Sequence, residues 1–277
     1  MAVCDIAFLK EKAKAIRHDI IDMVGCEKGK VGHLGGSCSI ADIVAVLYFH
    51  KMKHDPANPR SEDRDRFLLS KGHAALAQYA ALAECGYFSR EHLKKVKEYN
   101  SILQGHPDMT KTPGIEANTG SLGQGLSIGL GMALGLKSNG SKRKVYVILG
   151  DGELAEGQVW EAAMAAANYH ADNLIAIVDH NKVQATGAIK DRMDIGDVKS
   201  KWEAFGWNVI EIDGHDMESI CNALYEADKS SEKPVLILAN TIKGKGVLFA
   251  EGRAEFHNGP LTPEQFKQAH EDIDRML

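Results

Sequence analysis

The chain opens with apolar residues at the spacing of an α-helix. They recur at every third or fourth position, at Ile6, Leu9, Ala13, Ile16, Ile20 and Val24. The segment from Gly25 to Gly32 interrupts this pattern, so we predict one helix that ends in a glycine-rich turn. A second helix is predicted over 40–49, with the hydroxyl of Ser39 as its N-cap, and the turn-rich segment from Asp55 to Pro59 would follow it.

Short apolar runs farther along the chain predict β-strands. These runs extend from Phe67 to Ser70, Lys144 to Leu149, Leu174 to Asp179, Trp207 to Ile212 and Pro234 to Asn240. Because most are separated by helical patterns, we predict an α/β fold whose parallel sheet is covered by helices on both faces. A closing helix is predicted from Thr262 to Leu277, with Thr262 as its cap and Pro263 at its first position.

Composition indicates a globular protein with no polyanionic partner. A chain of 277 residues with 44% hydrophobic content can bury a full core, and we predict a single domain over 1–277. The net charge of −5 is spread along the chain, which argues against nucleic-acid binding. The apolar run from Ile43 to Phe49 is too short for a membrane span, and the early charges of Asp5 and Lys10 do not suit a signal peptide. We therefore expect a cytoplasmic protein.

Cysteine and histidine spacing predicts no structural metal site. The five cysteines are widely scattered and include no Cys-x-x-Cys pair; they are Cys4, Cys26, Cys38, Cys85 and Cys221. We interpret them as free thiols in a reducing compartment. The i, i+4 pair His50 and His54 has a spacing that could hold zinc, but no third ligand stands out, and we interpret both side chains as solvated.

A candidate metal site follows the second predicted strand. Gly150-Asp151-Gly152 comes directly after this buried run, where open α/β sheets bind ligands, although a tight turn is the alternative explanation. One helix and one strand later the chain reaches Asn181, at the end of a neighbouring strand. The carboxylate of Asp151, the amide oxygen of Asn181 and the carbonyl of Val183 would suit Mg²⁺ bound to phosphate.

These motifs resemble those of transketolases. Gly150-Asp151-Gly152 followed by Asp179-His180-Asn181-Lys182 is similar to the thiamine diphosphate motif of that family. Further matching segments are Gly32-His33, Leu69 to His73, Gly105-His106-Pro107, Thr119 to Gly125, Glu156-Gly157 and His257 to Leu261. Their order resembles the N-terminal half of transketolase over nearly the whole chain. The resemblance implies thiamine diphosphate and Mg²⁺ as cofactors, with Ca²⁺ or Mn²⁺ as substitutes, and a role in pentose phosphate metabolism.

The resemblance also implies roles for individual residues. Three candidate histidines, His33, His73 and His106, lie beside glycine or proline, and His257 lies two residues before Gly259. Each could be a site residue or part of an ordinary loop on sequence grounds alone. By resemblance, His73 and His257 would contact the diphosphate, and His33 and His106 would bind the donor sugar. His33, His106 and His257 are the expected catalytic histidines. The other expected cofactor contacts are Gly120, Leu122, Gly150, Gly152, Glu156 and Asn181. Glu156 and Glu161 would also help to link two active sites across a subunit interface.

In the family, the glutamate that activates the cofactor belongs to a second, pyrimidine-binding domain, and this sequence contains no further α/β unit of adequate size. The resemblance therefore implies a partner, a C-terminal transketolase subunit, in an α2β2 heterotetramer. Together they would transfer a two-carbon ketol unit from a ketose phosphate to an aldose. Leu34 and Ser121 stand where the family usually has proline, which leaves the donor sugar open.

Three other functions are compatible with part of the pattern. The alpha subunit of a 2-oxo acid dehydrogenase first component also carries a Gly-Asp-Gly motif, and deoxyxylulose-phosphate synthase is a closer competitor. An assay of carbon dioxide release would separate these classes of enzyme from a transketolase. A non-catalytic α/β binding module is the third, and it predicts no effect of thiamine diphosphate. The glycines between Gly120 and Gly129 do not have the spacing of a dinucleotide-binding loop, and no buried strand precedes them.

Overall fold

The computed structural model describes residues 4–276, and its centre is a five-stranded parallel sheet. In chain order the strands of this sheet are β1 Arg66–Leu69, β2 Val145–Gly150, β3 Leu174–His180, β6 Asn208–Asp213 and β7 Val235–Asn240. Their spatial order is β1-β2-β3-β7-β6, and every neighbouring pair is parallel. A small antiparallel pair, β4 Val183–Gln184 and β5 Gly187–Ala188, lies after β3.

Helices cover both faces of the sheet. On one face lie α1 Ile6–Val24, α2 Leu34–Cys38, α3 Ala41–Val46, α4 Ala75–Glu84, α9 Met217–Asp228 and α10 Pro263–Asp274. On the other lie α5 Gln124–Ser138, α6 Gly157–Asn168, α7 Ile189–Arg192 and α8 Val198–Ala204. Side chains of β2 alternate between the two layers: Tyr146 packs with the first set of helices, and Val147 packs with the second. The predicted α/β class is confirmed.

The predicted strands agree with the observed ones to within one residue at each end. This agreement follows from burial, since β2 is buried along its whole length and β3 and β7 at all but their last residues. The closing helix begins at Pro263, and Thr262 and Gln265 form a capping box at its start. Leu277, the predicted last residue of this helix, lies outside the described residues.

The second predicted helix was wrong in its start and continuity. The chain instead forms the short helices α2 and α3, followed by a π-helical turn at Leu47–Lys51. Ser39 does not cap a helix. Its hydroxyl donates to the carbonyl of Gly36 and to the carboxylate of Asp179, which belongs to β3. The hydroxyl that we predicted as an N-cap is therefore hydrogen-bonded to Asp179, 140 residues farther along the chain.

The structure also corrects the interpretation of two cysteines and two histidines. The sulfurs of Cys4 and Cys221 are bonded to each other, because the start of α1 and the middle of α9 meet in one layer. The remaining three cysteines are free. His50 and His54 are half-buried and hydrogen-bonded, to the Tyr225 hydroxyl at 2.8 Å and to the Tyr48 carbonyl at 2.7 Å, so the prediction that they are solvated was wrong.

Parallel strands bring their carboxyl ends to one edge of the sheet. Gly150 pairs in register with Asp179, and His180 pairs with Asn240, so the segments that follow β2, β3 and β7 leave the sheet side by side. Ser70 follows β1 at the same edge. Within the described part of the chain, no helix has both the length and the apolar character needed to cross a bilayer.

Candidate active site

A cavity of about 360 Å³ opens at the carboxyl edge of the sheet. Many of the residues predicted from sequence line it, namely His73, Gly120, Leu122, Gly150, Asp151, Gly152, Asn181, Val183 and His257. They come from segments that are far apart in the chain and that meet because the strands are parallel. Ligands of open α/β sheets bind at this edge. The predicted metal and cofactor residues are therefore brought together, with the exception of Glu156.

Asp151 is a buried carboxylate that two backbone amides hold in place. It is 2% exposed, and its oxygens accept hydrogen bonds from the backbone amides of Gly152, at 2.8 Å, and Lys182. A left-handed backbone at Lys182, with φ of +67°, belongs to the turn that presents this second amide. Burial, and then the charge of Asp179, raise the pKa of Asp151 to about 7. A carboxylate in this environment fits a divalent cation, whose charge would offset its burial.

The two other predicted metal ligands lie in the loop after β3. The side-chain oxygen of Asn181 accepts a hydrogen bond from the amide of Val183 at 3.1 Å, and its amide nitrogen donates to Asp179 at 2.7 Å. The carbonyl of Val183 accepts a hydrogen bond from the ammonium of Lys243 at 2.9 Å. A positive charge thus already contacts one of these oxygens. One carboxylate and two neutral oxygens form the kind of donor set that Mg²⁺ uses beside phosphate.

Asp179 and Lys71 form a buried ion pair behind the cavity. Asp179 is fully buried, and one of its oxygens accepts from the Lys71 ammonium at 2.5 Å and from the Ser39 hydroxyl at 2.8 Å. The other oxygen accepts from the hydroxyl of Thr241. Burial alone would raise the pKa of Asp179, but the lysine and the hydroxyl donors hold it below its usual value. Because Asp179 also holds Asn181, this network orients a predicted metal ligand.

Lys71 and Lys243 are site residues that sequence reasoning did not single out. Both line the cavity, and burial followed by the charge of Lys71 lowers the pKa of Lys243 to about 8. The Lys243 ammonium is also 3.1 Å from Nδ1 of His257. Its sequence signal was available, since Lys243 and a glycine follow the carboxyl end of β7, as Gly150-Asp151-Gly152 follows β2. Both lysines suit an anionic ligand, although the charge of Lys71 is already balanced by Asp179.

Four histidines cluster beside the cavity. The ring centroid of His33 lies 5.3 Å from those of His73 and His257 and 6.3 Å from that of His106. The rings of His73 and His257 are 5.1 Å apart. Burial is the main cause that lowers the pKa of His73 to about 2, of His33 and His257 to about 4, and that of His106 below its usual value. All four imidazoles are therefore neutral near pH 7.

Two glutamates lie near the cavity. Glu153, which was not predicted from sequence, is buried, whereas the predicted Glu156 is exposed. Glu156 is exposed at the start of α6 and does not line the cavity, so its contact with the cofactor stays a prediction. Glu153 lines the cavity, and its carboxylate accepts from the amides of Gly123 at 2.7 Å and Gly150 at 2.9 Å, and from the Ser70 hydroxyl. It thereby joins three of the loops that form the cavity wall.

Known proteins with similar sequences include several that are named as transketolase subunits. The chain is 45% identical over 267 residues to the 6-deoxy-6-sulfo-D-fructose transketolase subunit SqwG of Clostridium sp. (strain MSTE9), covering 96% of each chain. It is 43% identical to an apulose-4-phosphate transketolase subunit of Phocaeicola vulgatus, covering 90% of this chain and 89% of the relative. Human transketolase is 39% identical over 268 residues, which are 96% of this chain but 42% of the human protein.

Solved structures and a family profile agree with these relatives. Transketolase from Campylobacter jejuni superposes with a TM-score of 0.91 at 37% identity, covering 98% of this chain and 43% of that one. The chain thus spans less than half the length of the transketolase whose structure it matches. The profile of the transketolase thiamine diphosphate binding domain matches residues 9–274. The chain belongs to the transketolase family, as a protein built on its thiamine diphosphate binding domain.

Proposed function

We propose that this chain is the thiamine diphosphate-binding subunit of a two-subunit transketolase and that it acts only with a C-terminal subunit. The observation that carries the proposal is the cavity in which the buried carboxylate of Asp151 lies with two lysines and with His73 and His257 of the histidine cluster. Relatives that are named as transketolase subunits match the chain over nearly their whole length, which supports the same function.

The cavity residues would hold the metal and the diphosphate. Asp151, Asn181 and the carbonyl of Val183 would bind Mg²⁺, with Ca²⁺ or Mn²⁺ as substitutes, because hard cations prefer oxygen ligands. Lys71 and Lys243 bring positive charge to the same space. The proposed direct contacts of thiamine diphosphate are His73, Gly120, Leu122, Gly150, Gly152, Asn181 and His257. Glu156, outside the cavity, is proposed as a contact at the subunit interface, together with the exposed Glu161.

Thiamine diphosphate supplies the carbon nucleophile of the reaction, so the protein needs no nucleophile of its own. What this chain contributes are neutral imidazoles on His33, His106 and His257, which we propose as the catalytic histidines. A neutral imidazole has one N–H donor and one acceptor nitrogen, so it can both bind a sugar hydroxyl and hold its proton. The depressed pKa values of His33 and His257 keep these rings in that form across the physiological range.

A partner subunit is part of the proposal because this chain matches less than half of the longer family members. The chain spans 43% of the Campylobacter jejuni transketolase, whereas it spans almost all of the relatives named as subunits. We propose that the partner carries the pyrimidine-binding domain and that the assembly is an α2β2 heterotetramer with active sites at subunit contacts. We also propose a cytoplasmic location, in which the bond between Cys4 and Cys221 would be reduced and all five cysteines would be thiols.

The proposed reaction moves a two-carbon ketol unit from a ketose phosphate to an aldose, as in pentose phosphate metabolism. The names of the relatives differ in their sugars, 6-deoxy-6-sulfo-D-fructose in one and apulose 4-phosphate in another. Leu34 and Ser121 are adjacent to two proposed site residues, His33 and Gly120. We propose that these two positions help to select the donor.

The test is reconstitution of the purified chain with its C-terminal subunit, thiamine diphosphate and Mg²⁺. Ketol transfer would be assayed by mass spectrometry with a panel of ketose phosphates and 6-deoxy-6-sulfo-D-fructose. We expect transfer only when both subunits and both cofactors are present. Asp151→Asn should abolish transfer and the Mg²⁺-dependent rise in melting temperature, because it removes the charge that would bind the metal.

The matched control is Asp191→Asn, an exposed carboxylate in α7 that should leave both readouts unchanged. Activity of the lone chain would contradict the two-subunit function. Release of carbon dioxide from a 2-oxo acid would indicate a different thiamine enzyme. If the assembled pair neither binds nor is stabilised by thiamine diphosphate, the cavity has another ligand.

A further inference from the structure

A second cluster of metal-ligating side chains lies away from the cavity at the sheet edge. Cys4 precedes α1, His50 lies in the π-helical turn after α3, and Cys221 lies in the middle of α9. Their ligand atoms are all within 4.8 Å of one another. Among residues 4–276, these are the three His, Cys, Asp or Glu side chains whose ligand atoms lie close enough together to hold one ion. The proposed transketolase function does not use any of them.

We propose that Cys4, His50 and Cys221 form a zinc site when the two cysteines are reduced. Two thiolates and one imidazole are preferred ligands of Zn²⁺, and a water molecule would complete four-coordination. The bonded sulfurs seen in the structure then represent the oxidised, metal-free form of the same site. The two forms exclude each other, because a disulfide has no thiolate to offer.

The backbone geometry accommodates the metal-bound form. The Cα atoms of Cys4 and Cys221 are 6.9 Å apart, at the upper limit for cysteines that share a disulfide. With Zn–S bonds of about 2.3 Å, two sulfurs on a tetrahedral ion lie about 3.7 Å apart. Side-chain rotation of the half-buried Cys4 can supply this separation, because the residue precedes the first helix.

The surroundings of His50 favour the ligand form of its ring. Nε2 lies 2.8 Å from the Tyr225 hydroxyl, which leaves Nδ1 as the nitrogen available to a metal. Histidine ligands are commonly oriented by a hydrogen bond to the other ring nitrogen.

Metal binding would be coupled to reduction and to proton release. A phosphine reductant cleaves the sulfur–sulfur bond, takes its oxygen from water to become a phosphine oxide, and leaves two thiols. Zn²⁺ then binds as the two thiols lose their protons to solvent, so uptake of one ion releases two protons. The ion would link the residues just before α1, the π-helical turn after α3 and helix α9, and so stabilise their packing.

The experiment measures zinc in the full chain, expressed without a metal-binding tag and reduced with tris(carboxyethyl)phosphine. After incubation with ZnSO₄ and gel filtration, we expect close to one zinc per chain by mass spectrometry of the metal. Replacement with Co²⁺ should give thiolate-to-cobalt charge-transfer absorption. A chelator should lower the melting temperature of the wild-type chain by several degrees.

Two variants and one control separate the metal site from a simple disulfide. Cys4→Ser and His50→Gln should both lose the bound zinc, although His50→Gln keeps both cysteines. Cys26→Ser removes a free, half-buried thiol outside the cluster and should keep the metal. The proposal is overturned if the reduced wild-type chain holds no zinc, or if either cluster variant holds as much as Cys26→Ser. Circular dichroism of each variant confirms that it is folded.

Discussion

The ion pair between Lys71 and Asp179 is the least exposed charge interaction around the cavity. Both side chains are almost fully buried, and Asp179 also accepts hydrogen bonds from Ser39, Asn181 and Thr241. Burying two charges is unfavourable in itself, so such a pair is kept where its geometry serves another purpose. Here it holds Asn181, which we propose as a metal ligand. The pair therefore positions the site more than it stabilises the fold.

Replacing Lys71 alone should lower the free energy of unfolding more than replacing both Lys71 and Asp179. We expect Lys71→Met to lower the free energy of unfolding by about 3–5 kcal/mol, because Asp179 is then a buried charge without a counter-ion. Adding Asp179→Asn should recover part of this loss, since Asn keeps an acceptor for the hydroxyls without the charge. Urea unfolding of the single variants and the double variant measures the coupling.

The surface pair of Lys229 and Glu226 provides the control for this cycle. Both side chains are more than half exposed, so Lys229→Met should change stability by less than about 1 kcal/mol. If Lys71→Met is as mild as Lys229→Met, the buried pair contributes little. If the double variant loses the sum of the two single effects, Lys71 and Asp179 act independently.

At the scale of elements, α5 shows how one helix can be glycine-rich for two reasons. Gly129 faces β2, and an added Cβ would lie 2.5 Å from a methyl group of Val147. Gly131 lies on the exposed side of the same helix, where an added Cβ meets nothing within 4 Å. Gly129 permits close packing of α5 on the sheet, whereas Gly131 has no such role in the described part of the chain.

This contrast predicts opposite effects of the same substitution. Gly131→Ala should stabilise the chain by about 0.5–1 kcal/mol, because alanine loses less backbone entropy in a helix. Gly129→Ala should destabilise it by about 1–3 kcal/mol, because the helix and strand must move apart. Urea unfolding of the two variants, both in α5, gives the comparison. Equal effects, or the reverse order, would mean that the helix does not pack on β2 as described.

At the scale of the molecule, one sheet separates two apolar layers. All three tryptophans, Trp160, Trp202 and Trp207, pack in the layer of α5, α6 and α8. The layer of α1, α3, α4 and α9 contains none of them. The two layers share the strands of the sheet, so neither keeps a complete core without it. We therefore propose that the chain is a single domain, as the sequence predicted.

A single domain should unfold in one step. Tryptophan fluorescence reports one layer, and far-ultraviolet circular dichroism reports the helices of both. We expect the same midpoint and the same denaturant dependence from both probes in guanidinium chloride, because loss of the sheet removes both cores. A fluorescence transition that clearly precedes or follows the loss of helix would contradict a single cooperative unit.

Much of the fold and part of the site were predictable from sequence. The strands were found because fully buried parallel strands are continuous apolar runs, as in β2 and β3. The cavity residues Asp151 and Asn181 were found because each follows such a run. The hydrogen bond from Ser39 to Asp179 was not predictable. The Ser39 hydroxyl has one partner three residues away, Gly36, and another 140 residues away, Asp179.

The sequence by itself determined the order of the five sheet strands along the chain, the class of the sheet and the family, since these depend on periodicity and motifs within short segments. Only the tertiary structure decided which distant side chains meet. Lys71 reaches Asp179 across 108 residues, and Cys4 reaches Cys221 across 217. Such pairs depend on how helices pack against the sheet, and no local pattern encodes that packing. For the same reason, only the packing of β7 beside β3 showed that Lys243 contacts the carbonyl of Val183.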